Sequence, residues 1–67
     1  MDLKDVIKQR RKKLGITQID LAEISEISIA TIKDIERGKG NPSLSTVKKL
    51  LGILGMEIEY KIKTPFN

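Results

Sequence analysis

The 67-residue sequence contains no cysteine and no histidine. Without cysteine there is no disulfide framework, and without either residue the usual zinc ligands are missing, so neither kind of staple can support a small fold. A chain of this length buries only about 60% of the surface its unfolded form exposes. Its core is therefore marginal alone, and oligomerisation is the remaining source of support. No stretch approaches the ~20 apolar residues of a membrane span, and the first residues, MDLKD, are charged rather than apolar. The expectation is a cytoplasmic protein with no export signal and no membrane partner. Internal repeats and low-complexity tracts are also missing. Catalysis is nearly excluded by the same gaps: there is no His or Cys, no phosphate-cradling glycine loop after a strand, and no room in so small a core for a pocket of ~300 Å³. No catalytic residue, cofactor or metal site is expected.

What the chain does have is charge, unevenly placed. The net charge is +4, but residues 1–14 hold six basic and two acidic side chains, residues 15–38 hold two and five, and residues 39–67 hold five and two. The middle is thus net negative. If that middle meets DNA, its acids must face away and the phosphate-binding charge must come largely from the flanks. A solvated basic surface is the plainer reading of the same balance.

The segment from Thr17 to Gly38, TQIDLAEISEISIATIKDIERG, has the layout of two short helices joined by a tight turn. Thr17 is placed to cap the first, with Asp20 three residues on as its capping-box partner, while Leu21, Ala22 and Ser25 form a narrow inward face. Ser28 is placed to cap the second, Ile27 and Ile32 have the spacing of a hydrophobic staple, and Gly38 is its stop. Before this unit a helix is expected from about Leu3 to Leu14, with Leu3, Val6, Ile7 and Leu14 at helical spacing and Gly15 ending it. After it, Lys39-Gly40-Asn41-Pro42 reads as a loop and Ser43 as the cap of a helix from Leu44 to about Leu54. Leu44, Val47, Leu51 and Leu54 make the expected inner stripe of that helix, leaving Leu50 and Ile53 on a second apolar side that wants a partner.

Gln18, Leu21-Ala22, Ile27-Ser28, Thr31-Ile32 and Ile35-Glu36-Arg37-Gly38, followed by Asn41-Pro42-Ser43-Leu44, resemble the Xre/Cro family of bacterial and phage repressors. The match covers roughly Val6 to Gly55. One departure is Glu26, where family members usually place Gly; a left-handed non-Gly residue there costs on the order of 1 kcal/mol. The resemblance implies an all-α, lambda-repressor-like bundle of four to five helices over residues 1–55. It aligns Arg11 with a family arginine that pairs with the glutamate matching Glu36, a structural role with a phosphate contact as a second one. It also carries over the DNA-facing positions: Gln18 at the start of the second helix, then Ser28, Ile29, Ala30, Thr31, Lys33 and Asp34, with Arg37 and Lys39 beyond.

The chemistry of these positions is uneven. Gln18 and Thr31 suit phosphate oxygens, Ile29 and Ala30 can only pack on thymine methyls, and Lys33 could reach a guanine. Asp34 could accept from cytosine or point off the groove. Ile19, Ile24 and Ile29 exceed what the core needs. Either the isoleucine-rich composition spills onto the surface, or Ile19 and Ile24 mark a patch for a second protein.

From Met56 to Lys63 the periodicity changes to two, with Met56, Ile58, Tyr60 and Ile62 on one face and Glu57, Glu59, Lys61 and Lys63 on the other. A lone strand leaves its backbone groups unpaired and there is no second strand in the sequence, so residues 56–63 are expected to pair across a homodimer, packed on Leu50 and Ile53. Antiparallel pairing about Tyr60 sets Glu57 opposite Lys63 and Glu59 opposite Lys61. The other reading is a disordered basic tail. This trailing strand resembles the HipB-type antitoxins, which implies self-repression of an operon and a HipA-like toxin as partner. Residues 64–67 are expected to be a tail, with Phe66 able to cover the dimer core. Three classes stay open: a repressor of a two-fold symmetric site on double-stranded DNA, solitary in its operon; the antitoxin form of it; and a dimeric interaction module that has lost DNA binding.

Overall fold

A computed structural model describes residues 2–63, and within them the order of elements is α1 (Leu3–Lys13), α2 (Gln18–Ser25), α3 (Ile29–Glu36) and α4 (Leu44–Ile53). The starts of α2, α3 and α4 are where a capping side chain stands, whereas Asp2 before α1 makes no side-chain cap bond. Thr17 and Asp20 form the full capping box: the Asp20 N–H donates to Thr17 Oγ1 and the Thr17 N–H to Asp20 Oδ2, both at 2.9 Å. Ser28 accepts from the Thr31 N–H and Ser43 from the Thr46 N–H, each at 3.1 Å. The ends of α1, α3 and α4 share one device, a left-handed glycine past the last turn whose own N–H and the next one reach back to the helix carbonyls. At the end of α3, Gly38 donates to Ile35 O at 3.0 Å and Lys39 to Asp34 O at 2.8 Å.

The turn between α2 and α3 is made without glycine. Glu26 takes φ 59° and ψ 23°, the left-handed conformation for which the family prefers glycine. Ser25, fully buried beside it, accepts the Ile27 N–H on its hydroxyl at 3.1 Å and so holds the chain as it leaves the turn.

The core is built from Ile7 of α1, Leu21 of α2, Ile32 and Ile35 of α3, and Val47, Leu50 and Leu51 of α4, with Leu54 just beyond. Leu3, Val6, Ala22, Ile27, Ile53 and Ile58 pack around it. Both members of the expected staple, Ile27 and Ile32, belong to this assembly.

Three expectations are corrected here. Leu50 is fully buried in its own chain, so it is not part of a dimer face, whereas Leu44 is 53% exposed rather than inward. On a helix these two leucines flank the Val47–Leu51–Leu54 stripe at nearly equal angles, and the pattern alone cannot choose between them. Ile53, on the Leu50 side, also packs on the core and draws the buried face toward itself. Leu14 is exposed as well, lying beyond the last turn of α1 at the cap position.

No strand forms among the described residues, and 56–63 carry no regular structure. Ile58 reaches back to the core, while Tyr60 and Ile62 stand 75% and 96% exposed. The expected 64–67 tail, Phe66 included, lies outside the described residues. No helix among those residues is long and apolar enough to cross a membrane.

Candidate nucleic-acid interface

The α2–turn–α3 unit is tied to α1 by a buried ion pair. Arg11 Nε–H donates to Glu36 Oε2 at 2.8 Å and Nη2–H to Oε1 at 2.9 Å, a two-pronged geometry that fits guanidinium to carboxylate. Arg11 also donates through Nη1 to Ile16 O at 2.9 Å. Both side chains are nearly enclosed, so Arg11 has little surface to offer a phosphate and its structural role dominates. A third member joins them: Gln18 Nε2–H donates to Glu36 Oε1 at 3.1 Å. Burial pushes the Glu36 carboxyl up, but the hydrogen bonds from Arg11 and Gln18 and the charges of Arg11 and Lys8 outweigh it and hold the group below the usual carboxylate range.

Around this anchor α3 presents two kinds of surface. Ile32, Ile35 and Glu36 point inward, while Ala30, Lys33 and Arg37 are exposed and Ile29, Thr31 and Asp34 lie half-buried beside them. Lys33 stands on this exposed face outside any ion pair among the described residues. Asp34 is paired with Arg37 one turn on, and Lys39 is exposed past the helix end. Ser28 and Thr31 join hydroxyl to hydroxyl at 2.9 Å at the N-terminus of α3. The structure thus brings Ser28, Ile29, Ala30, Thr31, Lys33, Asp34 and Arg37 onto one helix, and links Gln18 to it through Glu36.

The acids of the middle segment are largely spoken for. Asp20 caps α2, where the backbone N–H and hydroxyl of Thr17 hold its carboxyl below the usual range; Glu36 is neutralised by Arg11, and Asp34 by Arg37. Three links escaped the sequence. Gln18 to Glu36 and Arg10 Nε–H to Leu54 O, at 2.8 Å, join residues far apart in the chain and leave no local signal. The i, i+3 spacing of Asp34 and Arg37 was such a signal.

An open cleft of about 300 Å³ lies at the surface between the start of α1 and the loop after α3, lined by Leu3, Lys4, Ile35, Gly38 and Pro42 among others. No group of side chains suited to a metal ion occurs among the described residues.

Residues 7–61 match the family model described as helix-turn-helix. The chain is 44% identical over 52 residues to the immunity repressor protein of Bacillus phage phi105, covering 78% of this chain and 36% of that protein. It is 33% identical over 58 residues to the HTH-type transcriptional regulator DdrOP3 of Deinococcus deserti, covering 87% and 45%. An uncharacterized HTH-type transcriptional regulator of Methanothermobacter thermautotrophicus is 36% identical over 55 residues, covering 82% and 80%. The chain therefore spans less than half the length of the first two relatives and most of the third. It belongs to the Xre-type helix-turn-helix family, a family of non-enzymatic DNA-binding transcriptional regulators.

Proposed function

We propose that this chain is a sequence-specific transcriptional repressor, acting in the cytoplasm as a homodimer on a two-fold symmetric DNA site. The carrying observation is the braced α2–turn–α3 unit: its helix starts are capped, its turn is held by Ser25, and Arg11–Glu36 locks it to α1 while Ala30, Lys33 and Arg37 stay exposed. Rigid placement of a short exposed helix is what reading a groove requires. Gln18, Ser28, Thr31, Arg37 and Lys39 serve the phosphates in this reading. Arg11 contributes by holding Glu36. The name of the phage relative, an immunity repressor, favours repression.

The dimer is carried by residues 56–63. Met56, Tyr60 and Ile62 offer apolar surface that their own chain leaves exposed, and the alternating charges pair favourably only when two copies run antiparallel about Tyr60. Ile53 and Ile58, partly used by the core, form the floor of this contact.

A gel shift at two salt concentrations tests the whole, with a symmetric site compared against its single half. Tight binding to the symmetric site, a steep fall with salt and poor binding to the half are expected. Equal affinity for both would overturn the dimer, and a dimer with no affinity for any DNA would make the chain an interaction module. Tyr60→Cys should cross-link two copies on oxidation, because residues facing each other at the axis lie within disulfide reach.

A narrower form of this function is a HipB-like antitoxin that represses its own operon and carries a HipA-like kinase toxin. Ile19 and Ile24, each 58% exposed on α2, favour it, since their apolar surface has no use in the monomer. Co-expression with the product of the adjacent gene tests it. A complex broken by Ile19→Asp or Ile24→Asp is expected, and the absence of any complex would leave a solitary regulator.

A further inference from the structure

Most polar groups on the reading side of α3 already have a partner within the chain. Ser28 Oγ receives the Thr31 N–H and shares a hydrogen with Thr31 Oγ1 at 2.9 Å, which leaves one hydroxyl hydrogen for the two residues, at the helix N-terminus. A donor there suits a phosphate oxygen, a contact that carries no base information. Asp34 is bonded to the Arg37 guanidinium. That pairing turns the carboxylate toward its own helix end, and an unpaired carboxylate would have to enter a groove walled by phosphates. Gln18 spends one amide hydrogen on Glu36, and the other, at the start of α2, is the one assigned above to a phosphate. What remains is Ile29 and Ala30, which have no polar side-chain atoms, and Lys33, exposed and outside any ion pair among the described residues.

We infer that this face selects DNA through the C5 methyl groups of thymine, met by Ile29 and Ala30, with Lys33 adding a contact to a guanine in the same half-site. The thymine methyl is the apolar feature of the major groove, and Lys at a guanine edge is among the commonest specific pairings. Lys33 lies three residues from Ala30 and four from Ile29, so the three share one side of the helix and reach neighbouring base pairs. Such a face discriminates thymine from cytosine by a methyl contact and not by a hydrogen bond. The inference rests on the DNA-reading role proposed above and specifies its chemistry.

The test begins with selection of binding sequences from a randomised DNA pool by the full chain. In the enriched site each thymine is then replaced by deoxyuridine, which removes only the methyl, and each guanine by 7-deazaguanine, which removes only the N7 acceptor. At one or two thymines per half-site, uridine should weaken wild-type binding about three- to five-fold, the worth of one buried methyl. Ile29→Ala should erase part of that sensitivity, and Lys33→Met should erase the sensitivity to 7-deazaguanine. Because the base replacements use the unaltered protein, the result does not depend on the variants folding. An enriched site in which uridine equals thymine at every position overturns the inference and leaves the regulator intact. A pool with no enriched sequence overturns sequence-specific reading, and the inference with it.

Discussion

Two arginine–carboxylate pairs use acids two residues apart on α3, and they do different things. Arg11–Glu36 joins α1 to α3 with side chains 11% and 4% exposed, whereas Arg37–Asp34 spans one turn of its own helix end with side chains 61% and 45% exposed. In the buried pair both charges have left water, so each depends on the other and on the added bonds to Ile16 O and from Gln18. In the exposed pair either charge can return to water at little cost. The same chemistry is a support of the fold in one place and a local neutralisation of the α3 surface in the other, and burial together with the span between helices separates them.

The largest effect should come from breaking the buried pair on one side. Glu36→Ala leaves Arg11 enclosed without its counter-charge and should cost roughly 3–5 kcal/mol, read in a denaturant melt. Arg11→Met combined with Glu36→Gln removes both charges and should lose clearly less than the single change. Equal losses would mean that the charges are not what matters at this position.

Next in size is the pH dependence of the same pair. The folded Glu36 carboxyl holds its proton less tightly than the unfolded one, so the pair contributes fully above the unfolded value, and that contribution is lost as pH falls through the lower folded one. Stability followed by circular dichroism should therefore drop on acidification through and below the ordinary carboxylate range. The doubly neutral variant should show a shallower drop; a drop of the same depth would assign the acid sensitivity to other groups.

The smallest effect should come from the exposed pair. Asp34→Asn is expected to change stability by less than about 1 kcal/mol in the same melt. A loss above about 2 kcal/mol would erase the contrast on which the comparison stands. In DNA binding the same variant should relax no base preference, because Asp34 is committed to Arg37 rather than to a base.

The local parts of this architecture were legible because their causes are local. Thr17 with Asp20, Ser28 and Ser43 cap where they stand, and Gly15 and Gly38 end helices because few other residues take a left-handed backbone at no steric cost. The turn between α2 and α3 was legible as a place but not in its hold on Ser25, whose hydroxyl bond to Ile27 depends on burial. Of the candidate reading face, Ala30 and Lys33 are exposed, and the i, i+3 spacing of Asp34 and Arg37 signals their pair locally, while the link of Gln18 to Glu36 appears only once the helices are set together. Leu44 and Leu50 could not be told apart by periodicity, since both flank the same stripe.

By itself, then, the sequence determined the helix starts and stops and the family, because each of those depends on neighbours a few residues away. The tertiary structure decided which leucine of α4 is core, which of the two arginine–carboxylate pairs is buried, and that Gln18 reaches Glu36. Those outcomes depend on the depth at which one helix meets another, and depth is a property of the packed chain that no local pattern encodes.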